Sequence, residues 1–207
     1  MVKANNPIED AEVNNKRNNL YPVFLKLDDL NALVVGGGNV GLEKVEALIF
    51  SSPDAKVTIV APAIRQELKD AILHHPSYTC IERKFIDTDL DGKDIAILAT
   101  DDKELHKHIK QLARKKGILC NVADTPELCD FYLGSVVKKG NLKIAISTNG
   151  KSPTIAKRIK EVLNETLPDE IDDLLANMQT IRNKMSGDFT EKVKQLNEIT
   201  KKLSQDH

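Results

Sequence analysis

The 207-residue chain has no tryptophan, only three cysteines, 4% aromatic residues and almost no surplus charge, 30 Lys+Arg standing against 31 Asp+Glu. Each scarcity excludes something. Near-neutrality argues against a surface devoted to nucleic acid, and few aromatic rings leave little on which single-stranded bases could stack. Cys80, Cys120 and Cys129 are too scattered for a disulfide framework, and no C-x-x-C or H-x₃₋₅-H spacing marks a zinc site. His106 and His108, two residues apart, fall on different faces of a helix and read as solvated surface side chains, so no metal site is expected. No apolar run approaches the ~18 residues that a membrane span needs. The first residues carry no apolar block suited to a signal peptide, which makes a cytoplasmic protein the expectation.

What is present falls into parts. Residues 1–19 hold six asparagines and no periodicity, and read as a disordered leader. Val23, Leu25 and Leu27 alternate like a short edge strand. Apolar runs at 32–35, 57–60, 78–85, 95–99 and 118–122 predict strands. Helical spacing at 40–50, 64–73 and 103–116 separates them, with Leu105, Ile109 and Leu112 as the buried stripe of the last helix and Gly117 as its left-handed cap. Strands that alternate with helices specify a parallel, doubly wound α/β sheet. Beyond it, Ser135–Lys139 and Leu142–Ser147 predict a hairpin. Ser152 and Pro153 open a helix. Two apolar stripes, Ile171, Leu174, Leu175, Met178, Ile181 and then Phe189, Val193, Leu196, Leu203, predict a small helical end. The boundaries expected are 1–19, 20–133 for the α/β domain, 134–165 for the hairpin segment, and 166–207 for helices.

Gly36-Gly37-Gly38-Asn39-Val40-Gly41 matches G-x-G-x-x-G between a strand and a helix. Gly36 permits the tight turn, Gly38 lets backbone N–H groups approach a pyrophosphate at the helix N-terminus, and Gly41 allows close helix–strand packing. The acidic residue expected ~20 residues on, to hold the adenine ribose, is missing from Ile59-Val60-Ala61-Pro62-Ala63-Ile64. Backbone groups or looser recognition must serve instead, and the choice between NAD and NADP stays open. Asn149-Gly150-Lys151-Ser152 resembles the end of a P-loop, but Ala145 stands where that motif needs glycine.

From Phe131 to Lys160 there is no acidic residue and there are seven basic ones, Lys138, Lys139, Lys143, Lys151, Lys157, Arg158 and Lys160. That is either a local anion site or an ordinary solvated face. Asp124 lies just beyond the fifth strand, where open α/β sheets bind ligands, as a candidate general base or else a turn former. Thr100 and Asp101 leave the fourth strand in the same region, and Asp101 is the favoured N-cap of the helix that follows.

Together, Gly-Gly-Gly-Asn-Val-Gly at 36–41, Val60-Ala61-Pro62, Ala99-Thr100-Asp101-Asp102, Cys120-Asn121-Val122-Ala123-Asp124 and Ser147-Thr148-Asn149-Gly150-Lys151-Ser152-Pro153 resemble the precorrin-2 dehydrogenase family, the dehydrogenase and ferrochelatase part of siroheme synthase. The resemblance spans about residues 20–185. It implies a Rossmann domain, a strand-exchanging dimerisation segment and a helical domain. The activity implied is NAD-dependent oxidation of precorrin-2 to sirohydrochlorin, with Fe²⁺ insertion as a second step and a homodimer as the working unit. It gives Asp124 the catalytic role and adds Asn39, Val40, Ala63 and Ile64 to Gly36, Gly38, Gly41, Thr100 and Asp101 as cofactor neighbours. Because precorrin-2 carries eight carboxylates, Ser147, Lys151, Ser152, Lys157 and Arg158 become candidate substrate holders. Gly41 stands where many members have alanine, and Thr148 where members have a phosphorylatable serine. A nucleotide-sensing regulatory module without catalysis is the rival class. It accounts for the glycine turn and leaves Asp124 and the basic stretch without a task.

Overall fold

The computed structural model describes residues 18–184 and 189–200. Most of the segment read as a leader, and Leu203, lie outside the described residues. Five strands, β1 (Asn31–Val35), β2 (Lys56–Ala61), β3 (Tyr78–Glu82), β4 (Ile95–Leu98) and β5 (Leu119–Val122), form one parallel sheet in the order β3-β2-β1-β4-β5. Helices α1 (Asn39–Ser51) and α2 (Gln66–Ala71) connect strands on one face, and α3 (Lys103–Lys116) covers the other.

The strand sequences are near-continuous apolar runs because both faces are covered. Alternate residues of β1 enter different cores. Ala32 and Val34 pack with Val45, Leu48, Ile59 and Leu68 under α1 and α2, whereas Leu33 and Val35 pack with Leu98, Ile109 and Ala113 under α3. The chain runs outward from β1 to β3 and then returns to lay β4 on β1's other side. The direction of winding reverses between β1 and β4, and a crevice opens there at the carboxyl ends of the strands.

Three expectations are corrected. Val23, Leu25 and Leu27 make no strand: only Leu27 is buried, in a single 3₁₀ turn, while Val23 and Phe24 stay 61% and 68% exposed. The helix expected over 64–73 is the six-residue α2. The buried stripe of α3 is His106, Ile109 and Ala113, with Leu105 and Leu112 only half-buried. His106 is therefore a core residue and not a solvated one. His108 is the surface histidine, paired with Asp87 at 2.8 Å.

Past the sheet, β6 (Ser135–Lys139) and β7 (Leu142–Ile146) form the expected antiparallel hairpin, followed by α4 (Pro153–Thr166), α5 (Ile171–Lys184) and α6 (Phe189–Thr200). Lys138 Nζ donates to Phe50 O and Lys143 Nζ to Ser51 O at 3.3 and 2.5 Å. Two cations thus meet the terminal carbonyls of α1, where the helix dipole favours positive charge. The start of α5 and the residues just before it grip the hairpin tip: the Asp172 carboxylate accepts from Asn141 N at 2.7 Å, and Lys139 pairs with Asp169.

Candidate functional site

The glycine turn is shaped by contacts that leave no room for side chains. A Cβ on Gly36, whose φ is +131°, would stand 2.1 Å from Ala99 O, and one on Gly41 would stand 2.2 Å from Gly36 O. The turn is therefore pressed against the end of β4 on one side and against its own helix on the other. Gly38 differs, because nothing lies within 4 Å of its Cβ direction. It is also the N-cap of α1 and supplies no side-chain cap, which leaves the first N–H groups of that helix available. A closed turn with one open face and an uncapped helix start fits a dinucleotide pyrophosphate.

Ala63 and Ile64 border the turn from the β2 side. Ala63 O lies 2.4 Å from a Gly37 Cβ position, and Arg65 N donates to Gly37 O at 3.0 Å. The Ile64 N–H turns towards Glu82 on β3, at 3.4 Å. Across the crevice, Thr100 leaves β4 beside Gly36. Its Oγ1 meets Asp102 N at 3.2 Å and His106 Nε2 at 3.0 Å, while His106 Nδ1 is buried with no partner. Thr100 Oγ1 and His106 Nε2 thus share one hydrogen bond, whose donor is set by the imidazole tautomer. The Thr100 oxygen also accepts from Asp102 N, which fixes the side chain at the strand end. Asp102, not Asp101, is the N-cap of α3, accepting from Leu105 N at 2.9 Å. The Asp101 carboxylate is left exposed at the strand end.

Burial, the largest cause, lowers the His106 pKa below its ordinary 6.5, against an opposing pull from Asp102 and Asp101. The unfolded chain therefore takes up this proton at a higher pH than the folded chain. Stability is fully present above pH 6.5 and falls as pH drops through the depressed value, by at most ~1.4 kcal/mol per pH unit. Urea midpoints measured at pH 7.5 and pH 5 are expected to show the loss, and His106→Gln to flatten it. An equal slope in the variant would refute the assignment.

Asp124 follows β5, whose neighbour is β4, and Ala123 N donates to Leu98 O at 2.9 Å. Its carboxylate is exposed, and its φ of +55° is left-handed, as is that of Asn149. The nearby thiols are poor rivals for acid–base work. Burial pushes Cys120 up to about 11 and also raises Cys129. A cavity of about 460 Å³ lies away from this crevice, at the start of β5 and the last turn of α3, beside the Lys110–Asp130 ion pair. Among the described residues no group of three or more His, Cys, Asp or Glu is placed to hold a metal, and no helix is long and apolar enough to cross a membrane.

The basic stretch is distributed differently from what its sequence suggests. Lys138 and Lys143 cap α1 at the end away from the glycine turn, ~20 Å off for thirteen residues at 1.5 Å rise. Lys139 pairs with Asp169, Arg158 with Glu161, and Lys160 stands over the Phe50 ring at 5.4 Å. Ser152 caps α4 by accepting from Ile155 N, and Ser147 Oγ accepts from Asn149 N. Lys151 and Lys157 are exposed on the same turn and helix. Lys138, Lys139 and Lys143 therefore hold the hairpin to its neighbours and Lys160 lies on the Phe50 ring, while Lys151, Lys157 and Arg158 stand along the turn and helix that follow.

Two residues escaped the sequence reading. His106 reads as a surface side chain until the packing of α3 and its Thr100 partner place it in the core. Arg65 carries no signal in the sequence, because its partners Gly37 and Asn39 reach it only in the folded turn.

Among known proteins, the family model "Putative NAD(P)-binding" matches residues 23–135, and one described as "Sirohaem biosynthesis protein central" matches residues 139–165. The siroheme synthase of Thioalkalivibrio sulfidiphilus is 37% identical over 172 residues, covering 81% of this chain and 34% of that protein. That of Nitrosomonas europaea is 33% identical, covering 81% and 35%. The chain spans about a third of the length of these curated relatives. A solved structure titled "SirC, precorrin-2 dehydrogenase" superposes with a TM-score of 0.70 at 25% identity, over 87% of this chain and 89% of that one. With more than half of its residues inside the first of these matches, and its glycine turn among them, the chain belongs to that NAD(P)-binding family.

Proposed function

We propose that this chain oxidises precorrin-2 to sirohydrochlorin with NAD as electron acceptor, and that Asp124 is its acid–base group. The observation that carries the reading is the position of one exposed carboxylate, Asp124, at the same carboxyl edge of the sheet as the open Gly38 face. The likeness to a solved protein titled precorrin-2 dehydrogenase, along nearly the whole of both chains, supports the choice of substrate.

The reaction removes two electrons and two protons from the macrocycle. Bound NAD supplies the acceptor for the hydride, which carries both electrons and one proton. Asp124 takes the second proton from a macrocycle N–H and passes it to water, which its exposure permits. Thr100, beside Gly36 at the end of β4, and the first N–H groups of α1 hold and orient the dinucleotide. Water-exposed Asp124 would equally accept the protons released when Fe²⁺ replaces two N–H protons of sirohydrochlorin, so Fe²⁺ is proposed as a second substrate.

The carboxylates of the substrate are assigned to Lys151, Lys157 and the Ser147–Ser152 turn, with Arg158 exchanging Glu161 for substrate. The hairpin is anchored at the far end of α1, so these groups reach the crevice best from a second copy. Exposed Ile155, Ile159 and Val162 run along α4 at i, i+4, i+7 and fit burial in such a homodimer.

Purified protein mixed with precorrin-2 and NAD is expected to yield the sirohydrochlorin spectrum together with NADH, and light scattering to report two chains per particle. Binding of NAD without turnover would leave only the regulatory class. Metal insertion no faster than without protein would remove the Fe²⁺ step.

A further inference from the structure

At the end of β2 the groups that usually choose between dinucleotides are arranged in an uncommon way. The β2 side of the glycine turn is the adenosine side, because the carboxylate that holds the ribose 2′-OH ordinarily ends this strand. Here the strand ends in Val60, Ala61 and Pro62. The first charged side chain to follow is Arg65, and the turn itself holds it in place: Arg65 N donates to Gly37 O at 3.0 Å, and its Nη1 donates to Asn39 Oδ1, on the first residue of α1. A guanidinium therefore stands between the glycine turn and the strand end, with 41% of its side chain exposed. A second cation, Lys69, lies one turn further along α2 and holds Glu82, the carboxylate of the adjacent strand, at 2.9 Å.

We propose that Arg65 is a specificity-determining residue that allows this site to take NADP⁺ as well as NAD⁺, by binding the 2′-phosphate of the adenine ribose. The proposal rests on the reading that the glycine turn holds a dinucleotide. Its chemistry is that of a planar fork of donors matched to a phosphate, whereas a carboxylate at this place repels one.

The partner Arg65 now has is Glu67, at 2.6 and 3.2 Å from its Nη2 and Nε. Both side chains are largely in water, and an exposed pair of this kind contributes little net stability. A doubly charged phosphate whose position is fixed by the rest of the cofactor competes well with it. The carboxylate of the adjacent strand, Glu82, is paired with Lys69 and accepts from Ile64 N, so its charge is offset. With Glu67 drawn onto Arg65 and Glu82 onto Lys69, neither carboxylate stands alone at the strand end to select for the 2′-OH of NAD⁺.

The test measures the dissociation constants of NAD⁺ and NADP⁺, and of the fragments 5′-AMP and 2′,5′-ADP, by calorimetry on the whole chain. In the wild type the two dinucleotides are expected to bind within about tenfold of one another and to compete for one site. Arg65→Gln is expected to shift the ratio of the two constants at least tenfold against NADP⁺, with a parallel shift for 2′,5′-ADP against 5′-AMP. Arg65→Lys should restore part of the shift. Raising the salt concentration should weaken NADP⁺ more than NAD⁺. The proposal falls if NAD⁺ binds and NADP⁺ does not, or if Arg65→Gln moves the ratio less than threefold, and in both cases the dinucleotide reading survives. If neither dinucleotide binds, that reading falls with it.

Discussion

Asp124→Asn is expected to lower precorrin-2 oxidation by about 10²–10⁴-fold, the usual contribution of a positioned proton-transfer group, while NAD binding stays as it was. Asparagine is the informative substitution because of the backbone. Asp124 has a φ of +55°, a region that Asp and Asn enter more readily than other side chains. Asp124→Ala removes the carboxylate but also places an unsuitable residue in a strained turn, at a cost of order 1 kcal/mol. Activity lost in the alanine variant would thus have two causes, and activity lost in the asparagine variant only one. The proton-transfer role also makes a distinct kinetic claim. The loss should appear in kcat and kcat/KM together, because the interaction is made in the transition state. Wild-type turnover by Asp124→Asn, or a change confined to KM, would reduce Asp124 to a turn former.

The sheet was readable from sequence because its physics is local. A strand covered on both faces is largely apolar along its length, so 32–35, 57–60 and 95–98 announce themselves without knowledge of their neighbours. The glycine turn was readable for a related reason, since a backbone pressed against Ala99 O admits no other residue. The failures share a cause too. Val23, Leu25 and Leu27 alternate as a strand would, but an edge strand needs an edge, and residues far along the chain decide that. His106 looked like a surface residue until Thr100 and the packing of α3 gave it a buried partner. The basic stretch stays ambiguous in the sequence, because charge counted along a chain carries no information about what it faces. Lys138 and Lys143 find the terminal carbonyls of a helix some ninety residues earlier, and no window over 131–160 contains that fact. Arg65 is the reverse case. Its meaning depends on Asn39 and Gly37, which only the folded turn brings to it.

Gly36→Ala and Gly38→Ala are expected to separate folding from cofactor binding within one six-residue motif. At Gly36 the new methyl would meet Ala99 O at 2.1 Å in a backbone conformation with φ of +131°. Strain and overpacking together predict a loss of about 2–6 kcal/mol, and the crevice between β1 and β4 would open with it. Gly38 has a φ of −85° and ψ of −159°, which alanine adopts freely, and nothing within 4 Å of its Cβ direction. Stability there should change by no more than ~1 kcal/mol, the range for altering an N-cap. Binding should not survive in the same way. The methyl fills the one open face through which a pyrophosphate reaches the N–H groups of α1, and displacing those charge-assisted hydrogen bonds is expected to weaken NAD at least tenfold. Thermal unfolding and NAD titration of the two variants read the separation directly. A Gly38→Ala protein that binds NAD as the wild type does would mean that the cofactor is held elsewhere, and a Gly36→Ala protein of wild-type stability would mean that the turn is not pressed against β4 as described.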